Sequence, residues 1–485
     1  MRKSFNLLSF DCGNSTIRTI LCHYDGNKIT YEVLMHEPNE MVLIGRYYYW
    51  DILHIFSLLK KGLEIASHKV EKIDSIGICT WGVDFMLLDK HDNMLGNVLS
   101  YRNTIGAEQL DKLTLEQQKE MFERTGILCD KINSIYMLKG MQEYMPSIME
   151  NADKILFVPD ILNYFFTGVL ENEPSELSTS QLMDVRTLQI EKELCHMMGL
   201  KDSWFNTIGK HGQKVGNVRK EILEELGIQY EIPVVCVPSH DTASAVFGIP
   251  SVAEEFLFVS SGTWALIGAQ CNEPIINDTV YEGKFTNEMG AFGRTTLLKN
   301  SIGMFILQRL KKEYEREKGV KISWTDFTDL GRKYKEEPYL YDVNHSDFFN
   351  PFNMVQSINV HIESKAAQKR GCFNKSEEES YYWAKILAST FYSIAHSYVE
   401  ALKKVKECTG KEYKTVYIVG GGAKNDIINQ YCADMLQMNI TTCVMECAAV
   451  GNAASQLAYL EKDITYYQLR EIISNSLTVT NVGGK

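Results

Sequence analysis

Proline and positive charge are both scarce in this 485-residue chain: ten prolines, and 50 lysines and arginines against 62 acids, for a net charge of −12. So few prolines leave little material for a disordered linker. An acid excess argues against nonspecific binding to nucleic acid or to an anionic membrane, both of which a basic surface drives. It leaves room for a local basic pocket that takes a phosphorylated ligand. No run approaches the roughly 20 apolar residues of a membrane span, and the long uncharged stretch from Phe256 to Asn272 is rich in Ser, Gly, Thr and Gln. The twelve cysteines form no CxxC pair, and Cys443 and Cys447 lack the second pair or histidine that a zinc site needs. They read as reduced, mostly buried thiols. Met1-Arg2-Lys3 carries the charge of a signal n-region, but Asn6, Ser9 and Asp11 interrupt the apolar stretch behind it, so a cytoplasmic protein is expected. Two nucleotide signatures are also missing. No GxxxxGK[ST] occurs, and Asn425 stands at the sixth position of the frame opened by Gly420-Gly421-Gly422, which argues against P-loop and Rossmann sites.

What is present is a globular composition, 45% apolar and 23% charged, long enough for two or three domains. The first ninety residues read as strand Ser4–Asp11, a turn at Cys12–Ser15, strand Ile17–His23, a hairpin at Asp25-Gly26 and strand Lys28–Met35. A helical pattern from Trp50 to about Ala66 follows, then strands Ser75–Thr80 and Phe85–Asp89. From Glu108 to about Leu200 the signal is mostly helical, and Val234–Val237 reads as a short buried strand. A second strand–turn–strand unit begins near Glu255, with its turn at Ser260-Ser261-Gly262-Thr263 and its second strand at Trp264–Ala269. Its likeness to the opening unit suggests two related α/β domains, residues 1–248 and 249–485. Ser376 with Glu379 predicts a capping box on a long helix that Gly410 ends, followed by strand Thr415–Val419 and a helix from about Asn425.

Five short segments have residues suited to chemistry. In Asp11-Cys12-Gly13-Asn14-Ser15-Thr16, a carboxylate ends a buried strand before a glycine turn with hydroxyls. Backbone N–H groups, Ser15 and Thr16 suit phosphate oxygens, and Asp11 suits magnesium; an ordinary hairpin turn is the plain alternative. Ser260–Thr263 has the same donors, and the Gly420–Gly422 run permits a close backbone approach or is simply a tight turn. In Pro238-Ser239-His240-Asp241-Thr242, the adjacent Ser, His and Asp resemble a triad only in letters, because a triad needs converging side chains. Asp241 suits a general base for a hydroxyl, with His240 beside it as a substrate partner, or is an N-cap. In Thr80-Trp81-Gly82-Val83-Asp84, Trp81 offers a flat face for a sugar and Gly82 close approach; a core tryptophan in a turn is the alternative.

The order of these segments resembles that of the FGGY carbohydrate kinases, and within them the rhamnulokinases. The resemblance runs nearly the whole chain. It includes Asp11-x-Gly13 with Ser15 and Arg18, Trp50-Asp51, Thr80-Trp81-Gly82-Val83-Asp84-Phe85, Tyr101-Arg102 and Thr179-x-Gln181-Leu182. It continues through Ser239-His240-Asp241-Thr242-Ala243-Ser244-Ala245-Val246, Ser260-Ser261-Gly262-Thr263-Trp264, Leu298-Lys299-Asn300, Gln308-Arg309 and Val419-Gly420-Gly421-Gly422. The resemblance implies an α/β protein of two ribonuclease-H-like domains, the actin/hexokinase-like ATPase fold, with the active site in the cleft between them. It implies ATP and Mg2+ as cofactors, Asp241 as proton acceptor, and sugar contacts from Gly82, His240, Thr242 and Asn300, with Trp81 beside them. It assigns ATP to Asn14, Ser15, Thr16, Ile17 and Arg18, together with Thr263, Gln308 and Gly421, and leaves Asp11 as first choice for the metal.

The implied reaction is transfer of the γ-phosphoryl group of ATP to the C1 hydroxyl of a ketose, first among them L-rhamnulose. Kinases for fuculose, xylulose or another polyol, and a sugar- or nucleotide-binding regulator without catalysis, are the alternatives; the retained Asp241 argues against the regulator. A dehydrogenase is disfavoured by the failed fingerprint. Oligomeric state stays open between monomer and homodimer. Three residues depart from the rhamnulokinase pattern: Cys79 and Asn103 stand where those kinases usually have Asp, and Met289 where they have Gly. These departures are expected near the sugar end, as neutral divergence or as a shifted sugar preference.

Overall fold

The computed structural model describes residues 3–349, 351–369, 379–443 and 446–483. The chain forms two compact units that interleave in sequence. The first comprises Met1–Glu255, Gln270–Leu297 and Glu446–Leu477; the second comprises Phe256–Ala269, Leu298–Met445 and Thr478–Lys485. Two segments beyond residue 249 therefore pack with the first unit.

The first unit is built on a six-stranded sheet, in the order Lys214–Asn217, Pro233–Val235, Ser75–Thr80, Phe5–Cys12, Thr16–Tyr24, Ile29–Pro38. The last three form an antiparallel meander, while Phe5–Cys12, Ser75–Thr80 and Pro233–Val235 run parallel. Ser75–Thr80 is buried at every position, as a central strand covered on both faces must be. The two-residue period of Phe5–Cys12 splits its side chains between two layers. Leu8, Phe10 and Cys12 enter a core with Ile52, Ile55, Leu59 and Leu63 of the helix Ile52–Lys69 and with Ile161 and Phe166 of Val158–Thr167. On the opposite face the Ser9 hydroxyl donates to the Ala449 carbonyl at 3.2 Å, on the helix Cys447–Leu460. Gly77 admits this helix: a Cβ there would lie 2.3 Å from Asn452 Oδ1.

In the second unit the strands run Thr295–Ile302, Trp264–Cys271, Phe256–Ser261, Thr415–Val419, Asn439–Cys443, Thr480–Val482. Numbered by chain order within each unit, the five core strands of both sheets follow 3-2-1-4-5. The predicted pair of strand–turn–strand units is thus the start of the same sheet order built twice.

The predicted strands and the first helix recur with ends shifted by a few residues, as fraying termini allow. The stretch from Glu108 to Leu200 is more broken than its periodicity suggests. Short helices are interrupted by the strand Lys154–Phe157, which pairs with Phe85–Leu88. The long helix runs Glu379–Thr409, and Trp383, Leu387, Phe391, Ile394, Tyr398, Leu402 and Val405 are at most 1% exposed. Gly410, at φ +63, closes it by donating its N–H to the Lys406 carbonyl. The predicted capping box rests on Ser376, which lies outside the described residues. Among the described residues no helix is long and apolar enough to cross a membrane, and no disulfide joins their cysteines.

Candidate active site

The carboxyl ends of the three parallel strands of the first unit bring the N-terminal motifs together. Asp11 pairs in register with Cys79, and Cys12 with Thr80. Thr80 donates its N–H to the Ser239 carbonyl at 2.8 Å and bridges to His240. This end of a parallel sheet is where ligands bind in open α/β folds.

Asp11 is buried and forms an ion pair with Arg18 across the hairpin. Burial is the largest influence on its carboxyl. It outweighs Arg18 and, with the negative charges of Asp241 and Glu446, pushes the pKa up to about 6. The other end of the Arg18 guanidinium meets Glu446 at 2.6 Å, at the N-cap of the helix Cys447–Leu460. Arg18 is therefore held between two carboxylates. The hairpin tip is fixed from outside: Asn39 donates to the carbonyls of Gly13 and Ser15 at 2.9 and 3.0 Å, and Asn14 donates to the Tyr101 hydroxyl at 3.1 Å. Ser15 is exposed and Asn14 and Thr16 half-buried, whereas Ile17 is fully buried with its side chain in the core. Any ligand contact from Ile17 is limited to its backbone.

Asp241 is the first residue of the helix Asp241–Phe247, and His240 occupies the N-cap. The N-cap alternative for Asp241 is thereby overturned. The Asp241 side chain is 36% exposed. Thr242 donates its hydroxyl to Oδ1 at 3.2 Å, and Nε2 of His240 lies 3.6 Å from the same oxygen. The other face of the ring meets an acid that the sequence did not single out: Nδ1 of His240 lies 3.2 Å from Glu288 Oε2. The pair departs from hydrogen-bond angles, and neither buried atom has a hydrogen-bond partner. Burial opposes a charged ring here, but Glu288 above all, with Asp241 and Glu173, pushes the His240 pKa up to about 9. The imidazole is a cation at neutral pH.

The Thr80–Asp84 turn stands beside this ring. A Cβ on Gly82 would lie 3.1 Å from the Thr179 methyl and 3.2 Å from His240 Nε2, so the glycine lets the turn pack tightly against both side chains. Val83 has φ +73, a costly conformation for a β-branched residue. It is held by its N–H donating to Thr179 Oγ1 at 3.0 Å and its carbonyl accepting from Ser134 at 2.5 Å. Trp81 corrects an expectation. It is 4% exposed and packed in the core, its ring 4.3 Å from that of Trp50, so it offers no free face. Both indoles donate to one oxygen of Asp84, Trp50 at 2.6 Å and Trp81 at 2.8 Å. Burial raises the Asp84 carboxyl to about 7 despite these donors.

In the second unit, Gln308 of the helix Phe305–Lys318 donates to the Thr263 hydroxyl at 3.3 Å, and Thr263 is exposed. The turn holds that helix: Met304 and Phe305 donate their N–H groups to the carbonyls of Gly262 and Thr263. Gly420 has φ +84, and a Cβ on Gly422 would lie 1.9 Å from Ser261 Oγ, so the glycine run is pressed against this turn. A Cβ on Gly421 would meet nothing within 4 Å. Asn300 is exposed on the strand Thr295–Ile302. Each unit therefore gathers its own predicted residues: Asp11, Asn14–Arg18, Gly82 and His240–Thr242 in the first, and Thr263, Asn300, Gln308 and Gly421 in the second.

Two family models match most of the chain. The model for the FGGY family of carbohydrate kinases, N-terminal domain, matches residues 6–248, and that for its C-terminal domain matches residues 257–459. The chain belongs to the FGGY family of carbohydrate kinases. The kinase is 31% identical over 482 residues to a rhamnulokinase of Bacteroides thetaiotaomicron, covering 97% of this chain and 94% of that protein. It is 30% identical over 472 residues to a rhamnulokinase of Oceanobacillus iheyensis, covering 97% and 96%. Among solved structures it is similar to a gluconate kinase from Lactobacillus acidophilus, at TM-score 0.80 and 14% identity over 100% of this chain and 94% of that one. It is also similar to a Plasmodium falciparum glycerol kinase with ADP, at TM-score 0.77 and 15% identity over 98% and 93%. These likenesses show the fold, that of the actin/hexokinase-like ATPases.

The three departures from the rhamnulokinase pattern are all buried in this kinase. The Asn103 amide donates to the carbonyls of Tyr48 and Ser100, both at 2.8 Å, which an aspartate cannot do. Met289 fills a core among Leu177, Leu182 and Met183. Cys79 lies fully buried beside Asp11; burial, then Asp11 and Asp241, hold its thiol well above the usual range and neutral. One more acid escaped the sequence. Glu176 is fully buried, Thr80 donates to its Oε1 at 3.4 Å, and Oε2 has no hydrogen-bond partner. Burial, Glu173, Asp160 and Asp241 together push this carboxyl far up, so it is a neutral acid. Only its place between Pro174 and Thr179, next to a matched motif, marked it.

Proposed function

We propose that this carbohydrate kinase transfers the γ-phosphoryl group of ATP to the C1 hydroxyl of a ketose, with L-rhamnulose as substrate. The observation that carries the reading is the half-exposed Asp241 carboxylate beside a cationic His240, in a chain about 30% identical to rhamnulokinases over nearly its full length. A free hydroxyl is a poor nucleophile, and Asp241 accepts its proton as the bond to phosphorus forms. The His240 cation, held by Glu288, donates to a substrate oxygen. Gly82, Thr242 and Asn300 complete the sugar contacts. The base and all the sugar contacts but Asn300 belong to residues 1–248, and the nucleotide is held chiefly by residues 249–485 through Thr263, Gln308 and Gly421, with the Asn14–Thr16 hairpin tip binding phosphate through its N–H groups and hydroxyls.

The residues present fit a magnesium ion. The charge of Asp241 raises the cost of ionising Asp11, and hard carboxylate oxygens are the donors this ion prefers. Asp11 would hold it, with Asp241 sharing through water, and the bound ion would neutralise phosphate charge. Phosphoryl transfer needs little else from the protein than positioning and charge stabilisation. The kinase would act in the cytoplasm, on a small sugar and ATP.

A coupled ADP-release assay over a ketose panel tests the reading, starting with L-rhamnulose against L-fuculose and D-xylulose. Highest kcat/KM for L-rhamnulose is expected. A preference for another ketose would overturn the substrate, and no turnover with any sugar would overturn the activity.

A further inference from the structure

The second unit contains a cluster of donors that the kinase reaction does not use. His345 stands at the N-cap of the short turn Ser346–Phe348, where its side chain accepts from the Asp347 N–H through Nδ1 at 3.3 Å. The same Nδ1 lies 3.3 Å from Asp347 Oδ2, and that oxygen is 3.0 Å from Nε2 of His361 on the helix Met354–Lys369. One donor atom from each of the three residues falls within a span of 4.8 Å.

Nδ1 of His345 has two incompatible uses. If it accepts the backbone N–H, its lone pair is exposed to a carboxylate oxygen with no hydrogen between them. If it is protonated and donates to Asp347, the turn loses its cap. A cation bound by Nδ1 would likewise take its lone pair from the cap, but it gives the imidazole nitrogen and the carboxylate oxygen a common positive centre for lone pairs that otherwise face each other. The spacing suits this. Ligands about 2.0–2.2 Å from a tetrahedral ion lie roughly 3.3–3.6 Å from one another; here one separation is 3.3 Å, the second is shorter at 3.0 Å, and all three donor atoms lie within 4.8 Å, so binding needs only a small adjustment of the side chains.

The surroundings also favour a built site. The two imidazoles are 4.7 Å apart, and the His361 ring packs 4.8 Å from that of Phe348, which is fully buried. His361 lines a cavity of ≈ 520 Å³ whose wall includes Ser301, Asn344 and Glu400, so water or a small ligand can reach this imidazole. Asn344 ties the loop to the strand Thr295–Ile302 by accepting from the Ile302 N–H at 2.8 Å.

We infer that His345, Asp347 and His361 form a binding site for a divalent transition-metal ion, zinc first, which clips the loop before Met354 to the following helix. Two imidazoles and one carboxylate select zinc, cobalt or nickel over magnesium and calcium, which take oxygen ligands. The site is separate in composition from Asp11 and from the magnesium of phosphoryl transfer.

The test uses the full chain after dialysis against a chelator. Titration with Co2+ should give visible d–d bands that saturate at one ion per chain and are displaced by equimolar Zn2+ but not by excess Mg2+. Zn2+ should also raise the melting temperature. His345→Ala and His361→Ala should each lose the bands and the thermal shift while keeping ketose turnover in Mg2+. If a variant fails to fold, Asp347→Asn, a near-isosteric change at an exposed position, should weaken Co2+ binding at least tenfold. Absence of saturable binding in the wild type, or equal binding in wild type and variants, overturns the assignment.

Discussion

Nδ1 of His240 and Oε2 of Glu288 face each other at 3.2 Å inside the first unit, 48 residues apart in sequence. The carboxylate keeps the imidazole charged against the cost of burial, and the ring in turn lies between Glu288 and Asp241. A site with a base on one side of the ring and a counter-ion on the other can hold a cation next to a sugar hydroxyl without neutralising the base.

The first expectation concerns the base. Asp241→Asn should keep ATP binding, measured by calorimetry, and lose about 10²–10⁴-fold in kcat, the usual contribution of general base catalysis. Near-normal turnover in this variant would remove Asp241 from the proposed role.

Glu288→Gln should move a pH profile. With its pKa at about 9, His240 is charged through neutrality and loses its proton as pH rises through that value. Removing Glu288, the main influence raising the pKa, should bring the basic limb of kcat/KM to lower pH. The same variant should lose the stability that the charged ring contributes, which is fully present below the ordinary histidine value near 6.5 and is lost as pH climbs through 9. An unchanged basic limb would show that His240 does not govern it.

Cys79→Asp separates the two accounts of that departure. A buried carboxylate added beside Asp11 and Asp241 should lower the melting temperature without metal and reduce the Mg2+ concentration needed for half-maximal rate. A changed ketose preference with an unaltered Mg2+ dependence would instead place residue 79 in sugar selection.

The glycine run should divide into two kinds of position. Gly422→Ala puts a methyl against Ser261 and should destabilise the fold by about 1–3 kcal/mol, the typical cost of overpacking, as read by denaturant unfolding. Gly421→Ala meets open space, so it should leave stability unchanged and weaken ATP, with a raised KM as the readout. Equal effects of both on stability would refute the distinction.

Asp84 supplies a stability test away from the chemistry. Its folded pKa near 7 exceeds the usual 3.8, so the folded state is favoured while the group is protonated and loses that advantage as pH rises from about 4 through 7. Asp84→Asn keeps an acceptor for Trp50 and Trp81 but cannot ionise. Its unfolding free energy should therefore fall less steeply over that window than that of the wild type, by no more than about 4 kcal/mol. Parallel curves would contradict the burial argument.

Short-range features were legible in the sequence. The N-terminal strands, the Asn14–Thr16 turn, the apolar face from Trp383 to Val405 and the ordered motifs depend on periodicity and neighbouring residues, which any chain displays before it folds. The motif order also led to the family. Trp81 was misjudged because a tryptophan in a glycine turn reads the same whether it faces a ligand or, as here, stacks on Trp50 and donates to Asp84.

By itself, then, the sequence determined the α/β character, the doubled strand–turn–strand plan and the residue types available for chemistry, because hydrophobic period and turn composition are local. Only the tertiary structure decided which charges meet. Arg18 reaches Glu446 across 428 residues, Glu288 finds His240, Cys79 settles beside Asp11, and the helix Cys447–Leu460 returns to the first sheet. Such pairings follow from the way sheet order and burial bring distant segments to one strand end. That same burial raises the Asp11 and Glu176 carboxyls, and the acids it gathers around His240 raise the imidazole against burial, so the electrostatics of the site exist only in the folded chain.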